Sequence, residues 1–237
     1  MVLKIENLSK RFENDTTFTV QELNLEIQGE EIFTLLGANG AGKTTTFMLC
    51  LGYIQANNGR VLINGYDIEK EPLKAKKYVA YVSENVMVYD NFTAIQNLKF
   101  FAHLCGKYPT VDKCKTLLEK VGLREVTNKW ARSFSKGMRQ RLGIAISLIK
   151  DAKIIFLDEP TSGLDPEGAK EFLLILQKLR QEGKAIFMAS HDIFRAKEIS
   201  DRIGIMVKGR LVNVLNKSEI KDKNLEEIYL KYIETMG

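Results

Sequence analysis

Residues 37–44 read Gly-Ala-Asn-Gly-Ala-Gly-Lys-Thr, which is the spacing of a loop that binds nucleotide phosphates. Its three glycines remove Cβ atoms where positive φ angles are needed, so that backbone N–H groups can point at an anion. Lys43 would supply an ammonium to the terminal phosphates, and the hydroxyl of Thr44 suits Mg²⁺. A strand-like run precedes the loop and a helix-like run follows it. The segment predicts nucleotide binding but does not indicate what the nucleotide is for.

Two acidic residues follow an apolar run later in the chain. Residues 154–157 are Ile-Ile-Phe-Leu, and they lead directly into Asp158 and Glu159. At the end of such a strand, Asp158 can hold Mg²⁺, usually through water, and Glu159 can orient and deprotonate a hydrolytic water. The alternative interpretation is a pair of solvated charges, which the phosphate loop earlier in the chain disfavours.

Other short segments carry functional side chains that also have ordinary structural interpretations. Ser135, in Ser-Phe-Ser-Lys-Gly-Met-Arg-Gln, is typical of a helix N-cap, residues 162–165 indicate a turn, and His191 would end a strand. Phe12 follows two basic residues where a loop is expected. It is either an anchor for the core or a ring that stacks on a purine base.

The elements that must position these residues are strands and helices in alternation. Residues 2–8 and 17–27 alternate apolar and polar side chains, which predicts half-exposed strands of an antiparallel sheet. Apolar runs at 79–82, 153–158 and 185–189 predict buried strands, and the second run is of a kind found in the middle of a parallel sheet.

The segment between two of these buried strands has a different pattern. From residue 91 to residue 149 the apolar positions follow helical periodicity and no convincing strand occurs. This predicts an inserted helical subdomain over about residues 87–150. After the last apolar strand, a hairpin over 203–215 and a polar, lysine-rich helix are expected to close the chain.

Composition excludes some classes of protein. Of the 237 residues, 45% are hydrophobic and 27% charged, which is typical of a globular protein. The net charge of +5 is dispersed and no long basic run occurs, so it is weak evidence for a nucleic-acid or membrane-surface partner. Three cysteines without Cys-x-x-Cys spacing argue against a disulfide framework or structural zinc. No leader pattern opens the sequence, and no apolar run approaches the roughly 18 residues of a membrane span, so any work at a membrane would need another chain.

Taken in this order, the segments closely resemble the nucleotide-binding domain of ATP-binding cassette (ABC) transporters. The run Ile-Phe-Leu-Asp-Glu-Pro-Thr-Ser-Gly-Leu-Asp-Pro at 155–166 is very specific for that family, and the resemblance extends from Phe12 to the C-terminal hairpin. It implies one α/β domain over residues 1–237: a P-loop NTPase core with a mostly parallel sheet, an N-terminal antiparallel β subdomain and the inserted α-helical subdomain.

The resemblance also implies ligands, ATP and Mg²⁺, and a role for each motif. Phe12 would stack on adenine; Thr44 and Asp158 would hold Mg²⁺; Lys43, the base Glu159 and His191, which would contact the γ-phosphate, would be catalytic. Ser135 and Gly137, in the signature peptide, would bind the ATP held by a second cassette, and Asp165 would lie at that dimer interface. The phosphates would be bound by Gly37, Asn39, Gly40, Ala41, Gly42, Lys43, Thr44 and Thr45.

Two departures from the family pattern stand out. The usual signature Leu-Ser-Gly-Gly-Gln is replaced by Phe-Ser-Lys-Gly-Met at 134–138, which retains Ser135 and Gly137. Similar variants occur in the branch that resembles drug, antibiotic or ion exporters. Glu84 stands where the family commonly has Gln; a carboxylate there can still reach Mg²⁺ or a water, so Glu84 is a candidate metal residue. The residues after it are candidates for contact with a membrane partner.

The resemblance therefore implies an ATPase subunit at the cytoplasmic face of the cell membrane. It would dimerise head to tail with an identical or paralogous cassette and drive a separate transmembrane permease for export, with no nucleic-acid partner. A soluble cassette ATPase acting on ribosomes or DNA is the alternative, but the second cassette or long coiled coil typical of such proteins is not present. A phosphoryl-transferase that shares the phosphate loop is a third interpretation, which the signature peptide opposes.

Overall fold

The computed structural model describes residues 1–13, 15–222 and 224–236, which form two β-sheets and a set of helices. The strands are β1 (Leu3–Lys10), β2 (Val20–Ile27), β3 (Ile32–Leu36), β4 (Asn58–Ile63), β5 (Tyr66–Asp67), β6 (Val79–Val82), β7 (Ile154–Asp158), β8 (Ala185–Ser190), β9 (Arg202–Val207) and β10 (Arg210–Asn216). The helices are α1 (Lys43–Cys50), α2 (Pro72–Ala75), α3 (Ala94–Leu104), α4 (Val111–Lys120), α5 (Lys136–Lys150), α6 (Pro166–Gln181), α7 (Ile193–Ile199), α8 (Lys217–Asp222) and α9 (Leu225–Met236). Short 3₁₀ turns lie at Arg124–Val126 and Ala131–Ser133.

The smaller sheet is antiparallel, in the order β2-β1-β4-β5. Leu3 of β1 pairs with Ile27 of β2 on one side and with Ile63 of β4 on the other. Inward side chains of β2 alternate with exposed ones, as the sequence pattern predicts. The predicted N-terminal antiparallel sheet is therefore confirmed, and β4, which begins at Asn58, extends it.

The larger sheet has the order β10-β9-β3-β8-β7-β6, and it is parallel except for the edge strand β10. All side chains of β3, β7 and β8 are buried. Because both faces of a parallel sheet are covered, its strands are continuous apolar runs, which is why these were recognisable in the sequence. Asp158 pairs with Ala189 and Leu36 with Ser190, so the ends of three strands meet at one edge.

Two hydrophobic clusters cover the faces of this sheet. Phe33, Phe47, Phe156 and Phe187 contact one another edge-on or tilted in the cluster shared with the smaller sheet. Burial of each such ring is worth about 2 kcal/mol relative to exposure. The other cluster joins the opposite face to apolar side chains of α3, α4, α5 and α6. The larger sheet, which carries the β3–α1 loop, is thus packed on both faces.

Helices occupy the segment predicted to be helical, and each begins at a capping residue. Thr93 forms a capping box with Gln96, Thr110 accepts from the N–H of Lys113, and Ser135 accepts from that of Met138. Helix α5 packs closely on β6, because a Cβ at Gly143 would lie 2.9 Å from Val82. The start of α5 is in this way fixed relative to the larger sheet.

The C-terminal segment differs from the single lysine-rich helix predicted for it. Two helices, α8 and α9, are present, and Ile228, Tyr229 and Tyr232 of α9 pack on a third cluster with Ile203 and Ile205 of β9. The aromatic residues of α9 recur at helical spacing, and this apolar stripe was overlooked beside the surrounding charges. Within the described ranges, no helix combines the length and apolar character needed to cross a bilayer.

Candidate functional site

The loop between β3 and α1 forms the predicted phosphate cradle, and two of its positions require glycine for different reasons. Gly42, the N-cap of α1, has φ 104°, and a Cβ there would lie 2.4 Å from the backbone oxygen of Thr19. Gly37 does not have positive φ, which corrects the expectation for this glycine; a Cβ would instead lie 2.6 Å from the backbone oxygen of Met206. Both positions require glycine, one for conformation as well as space and one for close approach alone.

Lys43 is buried and folded back over the loop. Its Nζ donates to the backbone oxygens of Gly37, at 2.7 Å, and Ala38, at 3.2 Å. The same atom lies 3.3 Å from Oε1 of Glu159. The ammonium is therefore held at the mouth of the cradle by two carbonyls and one carboxylate, all of which a phosphate oxygen can replace.

Asp158 stands beside Thr44, as predicted for a shared metal site. Its Oδ2 accepts from Thr44 Oγ1 at 3.0 Å and from the Tyr81 hydroxyl at 3.5 Å. Burial raises the pKa of Asp158 above its ordinary value, the hydrogen bond from Thr44 lowers it, and the nearby charge of Glu159 raises it. Oδ1 is buried without a hydrogen-bond partner among the described residues.

The Thr44 hydroxyl and the Asp158 carboxylate, whose Oδ1 has no partner, fit Mg²⁺, which prefers oxygen ligands and retains several waters. The described part of the chain contains no group of three His, Cys, Asp or Glu side chains that could hold a metal by itself. Thr44 and Asp158 thus fit the usual Mg²⁺ site of nucleotide enzymes, in which phosphates and water complete the shell.

Glu159 lies between Lys43 and His191. Its Oε2 is 2.9 Å from Nδ1 of His191 and 3.3 Å from the backbone N of the same residue. The side chain is only 14% exposed, and its backbone is left-handed, with φ 45°. The backbone N–H of Glu159 donates to the oxygen of Ala189. The carboxylate is therefore anchored from both sides at the edge of the sheet.

Glu84 lies at the same cavity but has partners of its own. The pKa of its carboxyl is lowered by a hydrogen bond from Ser162 and by Lys136, whose Nζ lies 3.2 Å from Oε1. This carboxylate thus connects the cavity to the signature peptide of the same chain. The cavity has a volume of about 260 Å³ and is lined by Thr19, Ala38, Asn39, Gly40, Gly42, Lys43, Thr44, Thr45, Glu84, Asp158 and Glu159.

Six residues predicted to contact the nucleotide lie outside the lining of this cavity: Gly37 and Ala41 within the phosphate loop, His191 beside Glu159, and Phe12, Ser135 and Gly137 on other segments. Ser135 and Gly137 are at the start of α5, where the Ser135 hydroxyl caps the helix. Phe12 is 41% exposed beneath the ammonium of Lys10, so the interpretation as a core anchor is wrong. One chain brings together the phosphate loop, Asp158, Glu159, Glu84 and His191, and Lys136 of the signature peptide reaches Glu84, but Ser135 and Gly137 do not line the cavity.

Sequence reasoning missed Thr19, Tyr81 and Ser162. Thr19 lines the cavity, the Tyr81 hydroxyl contacts Asp158, and the Ser162 side chain donates a hydrogen bond to Glu84. Tyr81 belonged to an ordinary apolar strand pattern. The available signal was position: Tyr81 pairs with Phe156 of β7, one residue before the end of β6 and two residues before Asp158 in register.

Comparison with known proteins agrees with this geometry. A family model described as "ABC transporter" matches residues 20–162. The chain is 39% identical over 227 residues to the uncharacterized ABC transporter ATP-binding protein YhcH of Bacillus subtilis, covering 95% of this chain and 72% of that protein. It is 33% identical over 228 residues to the lantibiotic transport ATP-binding protein SrtF of Streptococcus pyogenes, covering 96% of each.

A solved structure shows the same architecture. The subunit cbiO1 of Clostridium perfringens, described as part of the ABC transporter complex cbiONQ, superimposes with a TM-score of 0.85 at 26% identity, over 98% of both chains. The resemblance inferred from the motifs is thereby confirmed. With its antiparallel N-terminal sheet, mostly parallel core and cradle between β3 and α1, the chain belongs to the ABC transporter family, as a nucleotide-binding domain.

Proposed function

We propose that this chain binds MgATP, associates head to tail with a second cassette and hydrolyses ATP to drive a separate membrane permease. The observation that supports this most is the continuous arrangement of Lys43, Glu159 and His191, with contacts of 3.3 and 2.9 Å, beside the Thr44–Asp158 pair. A phosphate cradle, a metal pair and a base thus adjoin one cavity. Phosphoryl transfer to water needs these groups in place and little covalent chemistry.

In the proposed reaction, Lys43 exchanges its carbonyl and carboxylate partners for oxygens of the β- and γ-phosphates. Glu159 then accepts the proton of the attacking water, and His191, already in contact with Glu159, keeps that carboxylate and the water aligned. Thr44 and Asp158 would hold Mg²⁺, which neutralises phosphate charge when bound. Glu84 is a further candidate for this shell, through a water, once its carboxylate leaves Lys136.

The second half of the site is proposed to come from another cassette, either a second copy or a paralogue. Ser135 and Gly137 lie at the first turn of α5, where a hydroxyl and backbone N–H groups suit a γ-phosphate. They do not line the cavity of their own chain, which supports a role across an interface. The exposed ring of Phe12 is proposed to stack on adenine. Residues 1–237 would act as one ABC ATPase domain, with a helical subdomain over about 87–150.

Export is the proposed direction of transport, from the cytoplasmic face of the membrane. The signature variant Phe-Ser-Lys-Gly-Met resembles those of the drug and antibiotic exporter branch. SrtF, named for lantibiotic transport, aligns over 96% of both chains, which agrees with that branch.

Purification of the tagged full chain from detergent-solubilised membranes of its source tests the proposal. We expect a membrane protein with several spans to co-purify, and the complex to show Mg²⁺-dependent release of phosphate from ATP. Recovery with ribosomes or nucleic acid, without a membrane protein, would support the soluble alternative and contradict the transporter proposal.

A further inference from the structure

A second cavity, of about 480 Å³, lies at the opposite end of β7 from Asp158. Tyr78 and Lys153, which directly precede β6 and β7, form part of its lining. A neighbouring cavity of about 550 Å³ shares Lys107 and Asp151 with it. Volumes in this range are typical of sites for small molecules. We call the first of these two cavities the basic cleft, after the lysines named below. It is separate from the ATP site, because it lies at the amino ends of the strands whose carboxyl ends carry the proposed catalytic groups.

Five lysines from separate segments line the first of these two cavities. They follow α2 and α3, end α5 or precede β7, and they are Lys76, Lys77, Lys107, Lys150 and Lys153. Asp151 is the one acid in this lining, and its carboxylate already contacts Lys184 at 2.7 Å. The cleft therefore has an excess of positive charge contributed by parts of the chain that are distant in sequence.

Ordinary structural roles account for only part of this charge. Lys107 donates to the backbone oxygens of Ile149 and Lys150, which caps the C-terminus of α5. The ammonium of Lys76 lies 5.5 Å from the ring of Tyr53. Among the residues that the structure describes, however, none of the lysines at 76, 77, 150 and 153 forms an ion pair.

Lys150 shows that the local environment disfavours this concentration of charge. Burial is the main cause that lowers the pKa of its ammonium; the neighbouring Cys105 opposes the lowering, and the positive charge of Lys76 adds to it. Lys76 and Lys150 are half-buried and Lys77 and Lys153 are exposed, and all four line one cavity. Like charges in one cavity repel, so an anion placed among them gains from several charges at once. Phosphate groups suit such sites, since each lysine contributes a compact charge with three donors.

We propose that the basic cleft is a second, non-catalytic binding site for a phosphate-bearing ligand, held by Lys76, Lys77, Lys150 and Lys153. The ligand is a free phosphorylated compound or the headgroup of an anionic lipid, which present the same chemistry. Leu73 and Tyr108, which are 82% and 79% exposed at the two cavities, provide apolar surface for the rest of either ligand. The proposal does not depend on ATP hydrolysis.

The test uses the full chain saturated with MgADP, so that the phosphate loop is occupied. Calorimetric titration with inorganic tripolyphosphate probes the soluble source, and co-sedimentation with phosphatidylglycerol vesicles probes the lipid source, against phosphatidylcholine vesicles. We expect binding of at least one anionic probe, and an affinity about tenfold or more weaker in Lys150→Ala/Lys153→Ala, since each charged hydrogen bond contributes measurably. Lys150→Arg/Lys153→Arg should retain most of the affinity.

The matched control is Lys129→Ala/Lys178→Ala, which removes the same charge from two exposed positions outside the cleft. Its affinity should stay close to that of the wild type. Equal loss in both double variants would show diffuse electrostatic attraction and overturn the proposal, as would absence of binding to both probes or equal binding to neutral vesicles. Binding at an unoccupied phosphate loop would be recognised because the cleft substitutions would not weaken it, and that outcome too would overturn the proposal.

Discussion

Nζ of Lys43 lies 3.3 Å from Oε1 of Glu159, so the phosphate-loop lysine and the proposed general base form an ion pair within one chain. Both side chains are largely buried, at 6% and 14% exposure. Before ATP binds, each charge thus stabilises the other. In the proposed reaction Lys43 moves to a phosphate, and Glu159 would then keep only its contact with His191, at 2.9 Å, while it acts as the base.

Glu159→Gln should lower ATP turnover by about 10²- to 10⁴-fold, because the amide cannot accept the proton of the attacking water. ATP binding should be retained, so that a dimer with bound ATP accumulates. Phosphate release and light scattering after gel filtration measure the two effects. Glu198→Gln, an exposed position on α7, is the control, and turnover of Glu159→Gln at the wild-type rate would exclude Glu159 as the base.

Lys43→Ala should abolish measurable hydrolysis, mainly by weakening ATP binding, whereas Lys170→Ala should not.

The ion pair between Lys43 and Glu159 also predicts that substitutions of these two residues have coupled effects on the free energy of unfolding. Loss of Lys43 leaves a buried carboxylate without its cation, so Lys43→Ala should destabilise the wild type more than it destabilises Glu159→Gln, by about 1 kcal/mol. Urea unfolding of the four proteins without nucleotide measures this difference. Additive effects would show that the pair has no energetic consequence.

Asp158→Asn should make the protein without nucleotide more stable while it removes activity. The carboxylate has one buried oxygen without a partner and the charge of Glu159 beside it, so neutralisation should gain about 1 kcal/mol. Thermal unfolding in the presence of EDTA tests the gain, and the Mg²⁺ dependence of ATP hydrolysis tests the loss. If the variant keeps wild-type dependence on Mg²⁺, Asp158 is not a metal ligand.

Specific ATPase activity should increase with protein concentration, since Ser135 and Gly137 lie outside the cavity of their own chain. At concentrations where gel filtration shows only monomer, ATP should bind but turn over slowly. The wild type and Ser135→Ala can be compared across a dilution series. The same specific activity throughout the monomeric range would contradict a site completed by a second cassette.

The loss of stability on acidification should depend partly on Glu6, which pairs across strands with Arg60 and contacts Lys4 at 2.8 Å. Hydrogen bonds from Arg60 and Lys4 lower the pKa of Glu6 to about 2, from an ordinary 4.5. A lowered carboxyl pKa stabilises the fold above the ordinary value, and that contribution disappears as the pH falls from 4.5 towards 2. Glu6→Gln should therefore destabilise the protein at pH 7 and match the wild type near pH 2. Unfolding curves across this range, at low and high salt, test the dependence.

Much of the fold was predictable because its determinants are local. Buried strands such as β7 are continuous apolar runs, and Asp165 with Pro166 marks the start of α6 through its own capping chemistry. The phosphate loop was recognisable for the same reason, since its glycines, Lys43 and Thr44 are consecutive.

The features that escaped prediction depend on contacts between distant segments. The ion pair between Glu84 and Lys136 joins residues 52 positions apart, and no periodic pattern in the sequence predicts such a contact. Gly37 must be glycine because the backbone of Met206, on β9, approaches it, which only the assembled sheet reveals. For Phe12 the sequence left a core anchor and a ring that stacks on a base as alternatives, because aromatic character alone does not decide between burial and an exposed ring; the structure excludes the anchor.

The left-handed backbone of Glu159 affects which residue type the fold favours at position 159. At φ 45° a side chain with a Cβ costs about 1 kcal/mol or more, whereas glycine adopts this conformation freely. Backbone conformation alone therefore favours glycine at position 159, whereas the contacts of the carboxylate with Lys43 and His191 favour glutamate. The strain offsets part of what the buried ion pair contributes to stability, so a heat-resistance screen weighs these two effects against each other and only a screen for turnover tests the proposed base.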